Sequence, residues 1–358
     1  MTDVLHIVEP TLMTEAGHCY SFVDSLCQAS HGLRLKLWVS RRANIAFSGA
    51  DIQVEKHFYR RIRKLQCLFL YRKLLRSPGK LFIATAGVMD MTLLNWASRG
   101  AIQKDKVYLY FHWLNMNARK MATLKNVAKR NPNIVILGPT PLVINEFKEA
   151  GFANAHIVPY PISASTGKAE FEPADFSGLL YAGAARQDKG FSHVVDLVGH
   201  MNELALKIPV KLQNSPDHHG RYDAATREDL QRLGKINYPY LQVFPDTLST
   251  REYANLFKGA VSLQLYDPIL FKDRISGVTL DSLSAGCPII TTAGSWIARM
   301  VQRFDAGVVV DGTDPKQILS AVMTIIDDYR RYNKQAHAAG LVLQRENSAE
   351  ILLKKLMA

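Results

Sequence analysis

The sequence of 358 residues predicts an α/β protein made of two parallel-sheet domains. Three observations carry that prediction. Short apolar runs alternate with longer helix-compatible stretches, which is the pattern of parallel strands covered on both faces by helices. The alternation occurs twice, once in each half. Between the halves lies "YPISASTGKAEFEPADFSG", residues 160–178, rich in Pro, Gly, Ser and charge and poor in periodicity, as a linker is.

In the first half the strands are expected in "DVLHIVEP", "RLKLWVS", "KLFIATAG", "KVYLYFHW", "NIVILGP" and "AHIVPYP". In the second half they are expected in "GLLYAGA", "VKLQNS", "YLQVFPD", "AVSLQLYDP", "CPIITT" and "AGVVVDG". In "RISGVTLDSLSAGCPI", residues 274–289, a short helix is expected to begin at the Ser-Gly step and to end at Ala-Gly. Ser276 is a good N-cap, and Gly286 is a good terminator. The tail "SAEILLKKLMA" reads as an amphipathic helix. The domains are therefore set at 1–163 and 164–340, with a C-terminal helix in 341–358 expected to pack on the first domain.

The composition is that of a globular protein, 47% hydrophobic and 21% charged. No run approaches the roughly 18 apolar residues of a membrane span, and the start, "MTDVLHIVEP", has no basic leader and reads as a buried strand. Cys19, Cys27, Cys67 and Cys287 form no zinc spacing and are expected to be free thiols in a reducing cytoplasm.

The formal net charge of +12 is unevenly placed. Residues 1–163 hold 22 Lys and Arg against 10 Asp and Glu, whereas residues 164–358 hold 22 of each. The densest part, "HFYRRIRKLQCLFLYRKLLRSPGK" at residues 57–80, has eight cations and no acid. Ile62, Leu65, Leu68, Phe69 and Leu75 are interleaved with them. Such a segment suits an anionic membrane surface. The competing readings are a solvated helix face and a nucleic-acid surface, though no nucleic-acid motif accompanies the charge.

Two stretches carry chemistry. In "LLYAGAARQDKGF", residues 179–191, Gly183 permits a tight turn at a strand end, and Arg186 and Lys189 follow. Two cations beside a strand-to-helix turn form a diphosphate site, unless they are merely solvated at a helix start. In the second stretch, the amides at Ser276, Gly277, Val278 and Thr279 lie at a helix N-terminus, where unpaired N–H groups hold phosphate or sugar oxygens. Asp281 can accept hydrogen bonds from ribose hydroxyls, and Asp273 stands eight residues before it.

Together "GAARQDKGF" and "DRISGVTLDSLSAGCPIITT" resemble the nucleotide-sugar half of family 4 retaining glycosyltransferases of the GT-B fold. "TPLVINEFKEAGFANAHIVPYPIS" is similar to the family's segment entering the linker, and "GHCYSF" to its glycine-bearing first loop. The resemblance covers most of the chain and is most specific in the second half. It implies two Rossmann-like domains facing across a cleft, with the donor on the second and the acceptor mainly on the first. Arg186 and Lys189 would hold the donor diphosphate, and Asp281 would match the second acid of the Glu-x7-Glu motif. Asp273 is the weaker match to the first acid, because Arg-Ile-Ser-Gly replaces Gly-aromatic-Gly; Arg274 is the alternative contact, as in an Arg-x-Ser-Gly variant. His112 would lie near the reacting sugar, or else is a structural histidine. Gly17 and His18 would lie near donor or acceptor, or else Gly17 only permits a turn.

Trp113 and Trp296 suit sugar stacking or core packing. "DHHG", residues 217–220, lacks a third metal ligand at a recognisable spacing and reads as a polar loop. Cys287 reads as a small core residue.

The implied function is transfer of a sugar from a UDP- or GDP-sugar to a hydroxyl of a lipid-linked or polysaccharide acceptor, with retention and without a metal or other cofactor. It would take place in the cytoplasm, with or without peripheral membrane attachment, and serve envelope or exopolysaccharide assembly. A nicotinamide oxidoreductase lacks its G-x-G-x-x-G here. A non-catalytic nucleotide-sugar or glycan-binding protein, and an epimerase of the same fold, remain as alternatives.

Overall fold

Buried on both faces, a strand has to be apolar at successive residues, and Val107–Tyr110, Val135–Gly138, Gly178–Tyr181, Ala260–Gln264 and Ile289–Thr292 are buried throughout. The computed structural model describes residues 4–358 apart from 16, 48, 50, 99, 101, 163–170, 215–221 and 247. The chain divides into two units, Met1–Ala164 with Glu346–Ala358, and Ser165–Arg345.

In the first unit the order is β1 (Val4–Glu9), α1 (His18–Ala29), β2 (Arg34–Ser40), β3 (Ile52–Phe58), α2 (Arg63–Arg76), β4 (Lys80–Ile83) and α3 (Val88–Ser98). Then come β5 (Val107–Tyr110), α4 (Ala118–Arg130), β6 (Val135–Gly138), α5 (Pro141–Glu149) and β7 (Ala155–Ile157). The seven strands are parallel in the order β3-β2-β1-β4-β5-β6-β7. Strand β3 is absent from the expected set. It lies at the sheet edge, partly exposed and with Gln53, Glu55 and Lys56 in its length, so no apolar run marks it.

The second unit contains β8 (Gly178–Tyr181), a 3-10 turn at Gln187–Lys189, α6 (Phe191–Glu203), β9 (Val210–Gln213), α7 (Ala224–Lys235), β10 (Leu241–Phe244) and α8 (Thr250–Leu256). It continues with β11 (Ala260–Gln264), α9 (Gly277–Ser284), β12 (Ile289–Thr292), α10 (Trp296–Phe304), β13 (Gly307–Val310), α11 (Pro315–Asp327) and α12 (Tyr329–Glu346). Its six strands are parallel in the order β10-β9-β8-β11-β12-β13. A last helix, α13 (Ala349–Met357), is capped by Ser348 and buries Leu352 and Leu356 on the first unit, where it packs against α1.

Helix α2 forms where the basic segment begins to repeat its apolar residues at helical spacing: Cys67, Leu70, Tyr71 and Leu74 are buried in the first unit's core. Its other side leaves Ile62, Leu65 and Phe69 at 50%, 53% and 61% exposure among the cations. All four cysteines are free thiols. The His pair of "DHHG" and residues 163–170 of the expected linker lie outside the described residues.

Each sheet reverses strand order once, between β1 and β4 and between β8 and β11. In open α/β sheets ligands bind beyond the carboxyl ends of the strands at such a reversal. In the second unit the loops leaving β8 and β11 are stitched together. The Asp267 N–H donates to the Asp188 carbonyl at 3.0 Å. Gly190 (φ +70) approaches Leu265 so closely that a Cβ there would stand 2.0 Å from the Leu265 oxygen. Gly190→Ala therefore combines a left-handed backbone with a clash against main chain, and is expected to destabilise the protein by about 2–4 kcal/mol in denaturant titrations.

Candidate functional site

The loop after β8 and the loop after β11 bring together groups far apart in sequence. Gly183 turns the chain just beyond β8 with φ +107, its N–H donating to Gln213 Oε1 at 2.5 Å. A Cβ at this position would meet the Lys189 ammonium at 3.1 Å and the Val278 side chain at 3.9 Å. Lys189 from the first loop thus stands beside the start of α9 from the second.

Helix α9 is fixed by its sequence. The Ser276 hydroxyl caps it, accepting from the Thr279 N–H. Gln264, at the end of β11, is buried and fully used: it accepts from the Thr279 hydroxyl at 2.5 Å and donates to Ser262 and Ser282 at 3.0 and 3.1 Å. The cap occupies the Thr279 amide. The amides of Gly277 and Val278 have no recorded acceptor among the described residues, and a Cβ at Gly277 would meet nothing within 4 Å. The helix therefore offers two N–H groups and the positive end of its dipole to open space.

Lys189 stands beside that opening, and Arg186 and Arg274 gather around Asp188, next to it in the chain. Arg186 Nε donates to Asp188 Oδ1 at 2.8 Å, and Arg186 Nη2 pairs with Asp188 Oδ2. Arg274 Nη1 lies 3.6 Å from Asp188 Oδ2, with its guanidinium over the Phe271 ring at 4.7 Å. The Lys189 ammonium lies over the Tyr266 ring at 5.6 Å. The Tyr266 hydroxyl is buried beside the Ser276 side chain. Asp273 is turned elsewhere, into an ion pair with Arg299, so of these two neighbours it is Arg274 that joins the cluster.

Asp281, one turn into α9, accepts from the Tyr253 hydroxyl at 3.3 Å. It is reached by solvent while neighbouring protein groups crowd its carboxylate. That surrounding protein pushes its carboxyl up to about 6, against the pull of the Tyr253 hydroxyl and the Lys189 charge. The same desolvation, reinforced by Arg186 and Arg274, lowers the Lys189 ammonium to about 8, while Asp188 and Asp281 oppose the shift. Burial likewise lowers Arg274, with Arg186 adding to it. Lys189 and Arg274 are held here at an electrostatic cost.

Sequence reasoning did not find Asp188, Tyr253, Tyr266 or Gln264. Asp188 had a usable signal, an acid between two cations in "RQDK". The others announce themselves only through tertiary contact.

In the first unit, Gly17 (φ +89) precedes α1 and is exposed, and His18 begins that helix; its side chain lies outside what is described. His112 follows β5, with Nε2 donating to the Ala84 carbonyl at 2.9 Å. Its ring packs against Phe22, Tyr110 and Tyr160 at 4.9, 5.2 and 5.3 Å. The loops after β1 and β2 border a depression of about 480 Å³ lined by Thr14, Glu15, Asn44, Ile45 and Ala46. Trp296 is buried and Trp113 exposed. Cys287 is buried, its thiol donating to the Ala260 carbonyl. Among the described residues there is no group of three His, Cys, Asp or Glu able to hold a metal ion.

No family model and no curated protein matches the sequence. Solved structures do resemble this one over nearly its whole length. Sucrose-phosphate synthase from Thermosynechococcus elongatus is 13% identical with a TM-score of 0.73, covering 99% of this chain and 98% of its own. HepE of Anabaena, in complex with UDP and glucose, is 12% identical with a TM-score of 0.68 and the same coverage. WaaG, a glycosyltransferase involved in lipopolysaccharide biosynthesis, is 12% identical with a TM-score of 0.64, covering 98% of each chain. At these identities the likeness shows the fold, and that fold is GT-B.

Two titrations bound the site. Below about pH 6 Asp281 takes up a proton and loses acceptor capacity; above about pH 8 Lys189 loses its charge. Any ligand that needs the Asp281 carboxylate and the Lys189 charge together is expected to bind most strongly between these limits in calorimetry, and Asp281→Asn should remove the acid limb. Because the folded state lowers the Lys189 ammonium, its burial penalty is full below about pH 8 and fades as pH rises toward the ordinary 10.5. Lys189→Met should therefore raise the melting temperature of the ligand-free protein at neutral pH, and gain progressively less above pH 8.

Proposed function

We propose that the protein transfers a sugar from a nucleotide-diphosphate donor, UDP- or GDP-linked, to a hydroxyl acceptor, with retention at the anomeric carbon. The observation that carries the reading is the meeting of Arg186, Lys189 and Arg274 with the amides of Gly277 and Val278 at the strand reversal of the second sheet. A leaving diphosphate gathers negative charge as its bond to the sugar breaks. Fixed cations and helix N–H groups stabilise that charge more in the transition state than in the ground state. No metal is required in this scheme. Asp281 receives the ribose hydroxyls, with Tyr253 orienting its carboxylate. Complexes of the similar HepE with UDP and glucose favour a UDP-sugar as the first donor to try.

His112, Gly17 and His18 are proposed as contacts for the sugar and acceptor on the first unit. Asp273 is retained as a contact to the sugar only if it leaves Arg299. A glycan or lipid-linked acceptor of envelope or exopolysaccharide assembly is favoured by the likeness to WaaG and by the basic first unit. No helix among the described residues is long and apolar enough to cross a membrane. The proposed attachment is peripheral, at a cytoplasmic face, through residues 57–80. There Ile62, Leu65 and Phe69 project among Arg60, Arg61, Lys64 and Lys73, an arrangement that buries apolar side chains at the headgroup boundary while cations meet anionic lipid.

Calorimetry against UDP-, GDP-, ADP- and TDP-sugars should reveal one donor class whose binding needs the diphosphate. With that donor, Lys189→Ala is expected to reduce turnover by roughly two to three orders of magnitude. A folded variant turning over at the wild-type rate would remove Lys189 from the mechanism, and product analysis separates transfer from epimerisation. Separately, neutralising Arg60, Arg61, Arg63 and Lys64 together should abolish sedimentation with anionic liposomes. Unchanged sedimentation would refute the membrane contact.

A further inference from the structure

Asp188 is the carboxylate that pairs with the arginines of the cation cluster, and its charge opposes an anionic ligand. It sits between Arg186 and Lys189 in the turn after β8, with a side chain only 16% exposed. Its two oxygens are shared out: Oδ1 takes Arg186 Nε at 2.8 Å, while Oδ2 faces Arg186 Nη2 and, at 3.6 Å, Arg274 Nη1. A bidentate carboxylate contact is the same fork geometry by which a guanidinium grips a phosphate. The backbone of the residue is fixed as well, since its carbonyl accepts from the Asp267 N–H. The Nε–Nη2 edge of Arg186 cannot grip a phosphate while Asp188 holds it in this way, and the same carboxylate stands 3.6 Å from Arg274 Nη1.

We propose that Asp188 is an internal counter-anion that stands in for the diphosphate and has to be displaced from its fork on Arg186, and from beside Arg274, when a diphosphate ligand binds. The inference rests on the donor-site reading and adds to it an exchange of partners. In the ligand-free protein the carboxylate offsets the mutual repulsion of Arg186, Arg274 and Lys189, which desolvation would otherwise make costly. On binding, the phosphate oxygens take over the guanidiniums, and Asp188 is left beside a second anion. It therefore stabilises the empty site and weakens the occupied one. The residue is a determinant of diphosphate affinity and product release, acting through the two arginines and without a bond to the reacting atoms.

The signature of such an exchange is a pair of effects with opposite sign. A residue that merely builds the site would lower stability and affinity together when replaced. Asp188→Asn in the full chain is expected to lower the melting temperature of the ligand-free protein by several degrees. It should also bind inorganic pyrophosphate and UDP roughly five- to tenfold tighter than wild type, by calorimetry at fixed ionic strength. Equal or weaker binding of both probes overturns the inference. Should Asp188→Asn not fold alone, Arg274→Gln restores the charge balance: adding Asp188→Asn to Arg274→Gln should tighten pyrophosphate binding relative to Arg274→Gln alone, and weaker or unchanged binding overturns the inference. A wild-type chain that binds neither probe would overturn the donor-site reading and this inference together. Wild-type binding with the opposite mutant response would overturn this inference alone.

Discussion

The pairing of β8 with β11 is the constraint on which the candidate site depends. Gly178 lies opposite Ala260 and Leu180 opposite Ser262, so two segments far apart in the chain leave the sheet side by side. Everything charged in the site hangs on the loops that follow. Because parallel neighbours need crossover connections, the intervening chain is spent on α6, β9, α7, β10 and α8, and none of it separates the two loops in space. Gly190 against Leu265, and the Asp267 N–H on the Asp188 carbonyl, then lock the loops to each other. The site is placed by main chain, and its side chains inherit that precision.

Once placed, the cations are held against their own preference. A guanidinium and an ammonium lose hydration in such surroundings, and Lys189 and Arg274 are both shifted away from the charged form, chiefly by that loss and further by neighbouring cations. Asp188 and Asp281 compensate, Asp188 pairing with the arginines and both acting on the lysine. Gln264 has a different task. Satisfied on both its amide groups and buried, it fixes the first turn of α9 without contributing charge. The result is a polar centre in which rigid neutral contacts set the geometry and charged contacts exchange.

Much of the architecture was legible in the sequence because burial on both faces leaves a plain mark. The runs "KVYLYFHW", "GLLYAGA" and "CPIITT" each contain an observed strand, and the Ser-Gly and Ala-Gly steps bracket α9 as its caps require. Strand β3 was not legible, since an edge strand in partial contact with water keeps polar residues and loses the continuous apolar signal. Within the site, Gly183, Arg186, Lys189 and the start of α9 were legible as local turn and helix chemistry. The partners of Arg274 and Asp273 were not. Adjacent residues on a loop leave in different directions, and whether each meets Asp188 or Arg299 is decided by chain that is distant in sequence. Tyr253 on Asp281 belongs to the same class of fact.

The return of α13 to the first unit bears on how the protein is made. Helix α13, which buries Leu352 and Leu356, packs against α1, and the whole of the second unit lies between these two helices in the chain. The first unit is thus completed only by chain made after the second, and until that chain emerges α1 lacks its contact with α13. A nascent chain in that condition is a natural client for chaperones. It also means that cutting the gene at the boundary between the units would not yield an intact first half, because the polypeptide passes between them twice.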